Sequence, residues 1–268
     1  MITTSYKANA KNIVFFDSGL GGLSVLSEAL DRLPGENYIY FADNLYVPYG
    51  LKPQEDVRRF ILGAFARIME NDVKAIVVAC NTATSLVVRQ LRSEYGIPVI
   101  GMEPAVKPAV EHNRASGKRV LVLATPITLN QTKYAELISR VDGDHIVDSI
   151  PLPELVTYCE ELNFDPATIG AYFQKKLSPY DLNDYGTIVL GCTHYPFYRQ
   201  LLTELLPPHI ELVDGSRGTV SRLSDVLTTQ SLLNPQTRGS LTFNCSGEPA
   251  YISKLERALA MFRTELTV

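Results

Sequence analysis

The sequence predicts an α/β protein made of two similar parallel-sheet domains facing each other across a cleft, a pseudo-two-fold duplication. Three observations predict it. Apolar, β-branched runs alternate with helix patterns, the order of βαβ units with right-handed crossovers. The alternation opens twice, at Asn12 with NIVFFD and after Lys118 with RVLVLAT. Each series also holds a buried strand pattern that ends in a cysteine followed by short polar residues, AIVVACNTAT at 75–84 and TIVLGCTHYP at 187–196.

In the first series, residues 12–17 are the first strand. Ser18-Gly19-Leu20-Gly21-Gly22 is a tight turn, and LSVLSEALDRL is the first helix. YIYFAD is a strand ending at Asp43, and Val47-Pro48-Tyr49-Gly50 is a loop. Gln54 to Asn71 places Val57, Phe60, Ile61, Ala64, Phe65 and Ile68 on one helical face. The strand to Cys80 follows, then a helix closed by Gly96, then PVIG as a short strand.

In the second series RVLVLAT is a strand and Ile127 to Arg140 a helix. HIVDSI is a strand, followed by helices over 153–161 and 165–177. The strand to Cys192, a helix from Pro196 and the strand IELVD complete it. The tail from Gly215 gives a helix, an isolated strand LTFNC, and an amphipathic helix through Ile252, Leu255, Leu259 and Phe262. Asp17 lies 63 positions before Cys80, and Ala124 lies 68 before Cys192, which reads as an internal duplication. The tail is expected to return to the first unit, because two crossings make a stiffer hinge than one. The first domain is then 1–101 plus 214–268, and the second 102–213.

Composition narrows the function. A chain of 268 residues, 46% hydrophobic, has ample material for a core. A net charge of −4 gives no footprint for nucleic acid or an anionic membrane. No apolar run approaches a membrane span, and MITTSYKANAKN lacks the apolar core of a signal peptide. Four cysteines without C-x-x-C spacing suggest neither a disulfide scaffold nor a zinc site. These features fit a soluble cytoplasmic enzyme with reduced thiols.

A cysteine at the C-terminal tip of a parallel strand faces the crevice where open α/β sheets bind ligands. Taken alone, Cys80 is more often an inert core thiol. Cys192 in matching context changes that, whereas Cys159 and Cys245 share no such context and read as structural. Two opposed thiols suit racemisation, in which a proton leaves one face of a carbon and another arrives at the opposite face. One serves as thiolate base and the other as thiol acid, and helix N-termini after each cysteine favour the thiolate. Asn81, Thr82, Thr193 and nearby backbone amides can bind a substrate carboxylate. The bland alternatives are a turn-capping Asp17, a helix-start His194, a surface Tyr49 and a Gly50 with positive φ.

DSGLGG, VPYG, VACNTAT and LGCTHYP, in this order and spacing, resemble the glutamate racemases over nearly the whole chain. The resemblance implies two α/β domains with the site between them, no cofactor, and interconversion of L- and D-glutamate for bacterial peptidoglycan. By this match Cys80 and Cys192 are the catalytic pair, with Asp17 and His194 their auxiliaries. Ser18, Tyr49, Gly50, Asn81, Thr82, Thr193 and His194, with Asp17, match the substrate-binding positions. Related aspartate racemases typically carry an acidic residue where His194 stands, so His194 favours glutamate. Thr125 and Thr128 resemble a substrate-touching threonine pair, with Ala124 in place of the usual glycine. A family acidic residue falls on Glu154 or Glu160. Glutamate is the expected partner, with no nucleic acid and no membrane; a homodimer is admitted, although no residue selects it. No lysine sits at a strand tip as a pyridoxal Schiff base requires.

Two rivals come from other classes. Gly19-Leu20-Gly21-Gly22 after a strand, with Asp43 ending the next, partly fits a dinucleotide fingerprint, but Ser24 stands where the third glycine belongs. A two-lobed amino-acid-binding protein fits the architecture and leaves the thiols unexplained.

Overall fold

The computed structural model describes residues 11–265. Met1–Ala10, most of the stretch read for an export signal, and residues 266–268 lie outside the described residues, as do those ends of the expected first domain. In chain order the first elements are β1 (Asn12–Asp17), α1 (Leu23–Arg32), β2 (Asn37–Ala42), α2 (Gln54–Ile68), β3 (Val73–Val78), α3 (Asn81–Glu94), β4 (Val99–Gly101) and α4 (Val106–Asn113). Then come β5 (Arg119–Ala124), α5 (Pro126–Leu129), α6 (Thr132–Val141), β6 (Val147–Pro151), α7 (Glu154–Glu160), α8 (Pro166–Leu177) and β7 (Tyr185–Leu190). The chain closes with α9 (Arg199–Leu205), β8 (Glu211–Asp214), α10 (Ser216–Thr229), β9 (Leu241–Cys245) and α11 (Tyr251–Glu265).

The strands form two parallel sheets, ordered β4-β3-β1-β2-β9 and β6-β5-β7-β8. The order β2-β1-β3-β4 of the first sheet thus recurs as β6-β5-β7-β8 in the second. Even an irregularity recurs: β1 slips register against β3 between Asn12 and Ile13, and β5 slips against β7 between Arg119 and Val120. The duplication is therefore topological. The strands are apolar throughout because both faces are covered. Along β1, Ile13 and Phe15 join one core, whereas Val14 and Phe16 join the other. Helices α2 and α3 cover one face of the first sheet; α4 and α6 cover one face of the second. The remaining faces, under α1, α10 and α11 and under α7 and α8, share one continuous apolar cluster. Phe197 and Phe262, with ring centroids 4.8 Å apart, lie within it. Among the described residues no helix is long and apolar enough to cross a membrane.

Several elements differ from the sequence reading. LTFNC is not isolated: β9 pairs in parallel with β2 along the first sheet's edge. The helix expected over 127–140 is two, because Gln131 takes extended backbone before α6. A helix absent from that reading, α4, tolerates Pro108 in its first turn, where no backbone donor is lost. Gly96 is not a left-handed cap; α3 ends on an extended Tyr95, and Gly117 is the glycine with positive φ.

Candidate active site

The site lies at the C-terminal ends of β1, β3, β5 and β7, where the two sheets meet. Asp17 ends β1 and is fully buried. Its carboxylate accepts the Gly19 N–H (3.0 Å) and, from the other sheet's side, the Thr193 hydroxyl (3.1 Å). Burial pushes the Asp17 carboxyl up, against the lowering influence of His194 and these donors. Cys80 stands two residues beyond β3 as the N-cap of α3, and its sulfur accepts the Ala83 N–H at 3.5 Å. Its thiol also lies 3.9 Å from the Ser18 hydroxyl. Burial, then the Asp17 charge, raises the Cys80 pKa far above the usual thiol range, and the charge on Cys192 adds to the rise. The cap at α3 therefore does not make Cys80 a resting thiolate.

Asn81 and Thr82 occupy the first turn of α3. Thr82 Oγ1 lies 3.0 Å from Thr125 Oγ1 and 3.3 Å from Thr128 Oγ1, a hydroxyl cluster that joins the two sheets. Asn81 is buried, yet neither amide atom has a hydrogen-bond partner among the described residues. A buried unpaired amide is costly and marks a place for a ligand or water.

Cys192 stands two residues beyond β7, the position equivalent to Cys80. No α-helix caps it; a 3₁₀ turn over Tyr195–Tyr198 intervenes before α9. His194 lies beside it instead, with Nδ1 3.8 Å from the sulfur and Nε2 2.7 Å from Glu160 Oε1. Burial disfavours an imidazolium, but hydrogen bonds to Cys192 and Glu160 outweigh it and hold the His194 pKa well above the ordinary value. Glu160, at the end of α7, also accepts the Leu20 N–H (2.8 Å) and the Tyr251 hydroxyl (2.5 Å). Burial works to raise its pKa, and the His194, Tyr251 and Leu20 bonds bring it below the usual carboxylate value.

Of the two acids left open by sequence, Glu160 is therefore at the site. Glu154 faces outward and pairs with Tyr172 and Lys176. Tyr49 is buried, not a surface aromatic, and donates to the buried Asp43 carboxylate. Gly50 has no positive φ; a Cβ there would lie 2.8 Å from the Thr125 Cβ, so the position is set by close approach. The same holds for the glycine-rich turn, where a side chain on Gly19 would strike Glu160 and one on Gly21 would strike Thr193 and His194. That turn packs closely against the second sheet's residues. Cys159 is buried in the apolar core, and Cys245 bonds the Gly247 and Glu248 carbonyls. Sequence reasoning missed Tyr251, whose helix carries no local signal for a site.

A family model described as Asp/Glu/Hydantoin racemase matches residues 21–223. The chain is 47% identical to the glutamate racemase of Halothermothrix orenii, over 88% of this chain and 93% of that one. In structure it resembles the Escherichia coli glutamate racemase solved with L-glutamate and the activator UDP-MurNAc-Ala: TM-score 0.82, 29% identity, 94% and 95% of the two chains covered. It equally resembles the Francisella tularensis glutamate racemase solved with D-glutamate: TM-score 0.81, 28% identity, 94% of each chain. Two duplicated parallel sheets, a cysteine at the same tip of each, and these likenesses over nearly its whole length together place the chain in the Asp/Glu racemase family of isomerases.

Proposed function

We propose that the chain interconverts L- and D-glutamate by a cofactor-independent, two-thiol acid–base mechanism. One observation carries this reading: Cys80 and Cys192 occupy equivalent tips of two duplicated sheets and face the same junction. From L-glutamate, the Cys192 thiolate takes the α-proton, and the C–H electron pair moves onto the α-carbon and its carboxylate. The Cys80 thiol then gives its proton to the opposite face. D-glutamate leaves with Cys192 as thiol and Cys80 as thiolate, the state from which the reverse reaction starts; exchange with solvent resets it. His194 supports Cys192, and Asp17 supports Cys80. Asn81, Thr82 and the α3 amides, with Ser18, Tyr49, Gly50 and Thr193, hold the substrate, for which the unpaired Asn81 amide is the strongest support. The relatives solved with each enantiomer support glutamate as substrate.

In this reading residues 1–101 with 214–268 carry Asp17 and Cys80, and residues 102–213 carry Cys192 and His194. The enzyme works in the cytoplasm and supplies D-glutamate for peptidoglycan. The test is circular dichroism of L-glutamate, with L-aspartate alongside, incubated with the protein in metal-free, pyridoxal-free buffer. Loss of the glutamate signal alone is expected, unaffected by chelator or hydroxylamine. A stable signal with saturable binding makes the protein a receptor instead.

A further inference from the structure

We propose that Tyr251, carried by the C-terminal helix, is a positioning residue for the Cys192 side of the site: its hydroxyl fixes the Glu160 carboxylate against His194. The inference rests on the two-thiol reading above. Glu160 comes from α7 beside the second sheet, while Tyr251 lies 91 positions further along the chain, on α11. Helix α11 packs on α1 of the first unit and follows a strand of the first sheet. The carboxylate is thus divided. Oε1 takes His194 and the Leu20 N–H, and Oε2 takes Tyr251. Two of its three donors, Leu20 and Tyr251, belong to elements of the first sheet's unit. Lys254, one turn along α11, donates to the Glu160 backbone carbonyl and lies 5.3 Å from the Tyr251 ring centroid, anchoring the same end of α7.

His194 needs a carboxylate that stays ionised while buried, and burial alone opposes that. Removing the Tyr251 hydroxyl leaves Oε2 without its donor, so the shared proton moves from His194 toward Glu160 and the thiolate on Cys192 loses its imidazolium. The other titratable groups around this row are Asp17 on β1, Tyr40 on β2, Cys80 at the head of α3, Cys159 on α7, Tyr195 and Tyr198 after Cys192, and Lys254. Burial keeps the tyrosines and Cys159 neutral through the working range. Tyr251 is likewise held as a neutral donor, by burial and then by the Glu160 charge.

The test compares the intact protein with Tyr251→Phe, which keeps the ring, and with Lys254→Met, which alters α11 without touching the carboxylate. In each, the pH dependence of Cys192 alkylation by iodoacetamide is followed by peptide mass spectrometry without substrate. In Tyr251→Phe the Cys192 midpoint moves about one unit toward alkaline pH, and kcat for glutamate falls about tenfold with KM nearly unchanged. An unchanged or acid-shifted midpoint overturns the proposal, and so does an equal shift in Lys254→Met, which would assign the effect to helix docking. Failure of the racemase reading is seen separately, as an intact protein that does not racemise glutamate, because the alkylation profile needs no turnover.

Discussion

Cys80 and Cys192 sit at equivalent positions in unlike surroundings. Cys80 is buried beside the Asp17 carboxylate and stays a thiol; Cys192 faces a His194 held in its charged form. Mirror-image substrates have equal free energy, so kcat/KM is equal in the two directions for the intact enzyme and for every variant; asymmetry is visible only in kcat and KM separately. Asp17→Asn and His194→Asn should lower kcat more than they raise KM, by about tenfold or more, whereas Ser18→Ala should mainly raise KM. Steady-state kinetics from both enantiomers checks this, and the reverse split would exchange the roles. kcat/KM should be bell-shaped in pH. On the two-thiol reading its alkaline limb is loss of the Cys80 proton. A raised pKa keeps that proton to higher pH, so the alkaline limb should lie above the free-thiol value of about 8.5. A flat profile counts against the pair. Replacing either cysteine by Ala should stop racemisation both ways, while Cys192→Ala still exchanges the α-proton of D-glutamate in D₂O and Cys80→Ala that of L-glutamate. Proton NMR with each pure enantiomer reads this directly. The two cysteines were legible because each follows its strand by two residues, whereas Asp17 and His194 are marked as their auxiliaries only by the family resemblance. Glu160 was legible only as one of two acids, because which one turns inward depends on the packing of α7.

Elements place these residues, and the weakest-looking element, β9, is held by an unusual anchor. Lys74 enters β3 as a buried charge, with the Lys74 and Glu36 side chains only 1% and 2% exposed and 2.5 Å apart. Lys74 also donates to the Leu232 carbonyl (2.6 Å) and to Asn234 Oδ1 (3.2 Å), and Glu36 accepts the Asn234 N–H (2.8 Å). The pair thus fastens the segment after α10 beneath the first sheet and delivers β9 to its edge. Removing one partner leaves a buried charge alone, so Lys74→Ala should cost about 3–5 kcal/mol, whereas Lys74→Met with Glu36→Leu should recover much of it. Urea unfolding of the three proteins measures both, and a double variant as weak as the single one would refute the account. The apolar run LTFNC identified a strand, but its partner is set by this distant polar anchor, which is why the strand looked isolated in sequence. The break between α5 and α6 has a similar origin. Periodicity continues across it, but Thr125 and Thr128 bond each other and Thr82, fixing α5 at the site while α6 packs on its own sheet.

At the scale of the whole molecule, duplication puts two strand tips opposite each other, and the two crossings between units pack together. A Cβ on Gly215, at the second crossing, would lie 2.6 Å from the carbonyl of Glu103, in the first. The two catalytic candidates are then shut in: Cys80 is 6% exposed and Cys192 is 7%. On the two-thiol reading, a substrate reaches them only if the units part. The contacts across the lips differ in kind. Arg89 and Glu136 form an exposed ion pair at 3.3 Å, 79% and 56% exposed, a geometry that contributes little. Gly50 instead presses the first unit's loop onto Thr125 with no room for a side chain. Arg89→Ala should thus change KM by less than about twofold. Gly50→Ala should prop the lips apart, because its Cβ meets Thr125 Cβ at 2.8 Å, Cγ2 at 3.1 Å and Oγ1 at 3.3 Å. In that variant KM should rise about tenfold or more while thermal stability changes little, because the strain is relieved by opening rather than by unfolding. Cys80 and Cys192 should both alkylate faster without substrate, and saturating glutamate should protect them less than in the intact enzyme. If Gly50→Ala alkylates at the intact rate and only its melting temperature falls, the loop is packing alone and the units part elsewhere.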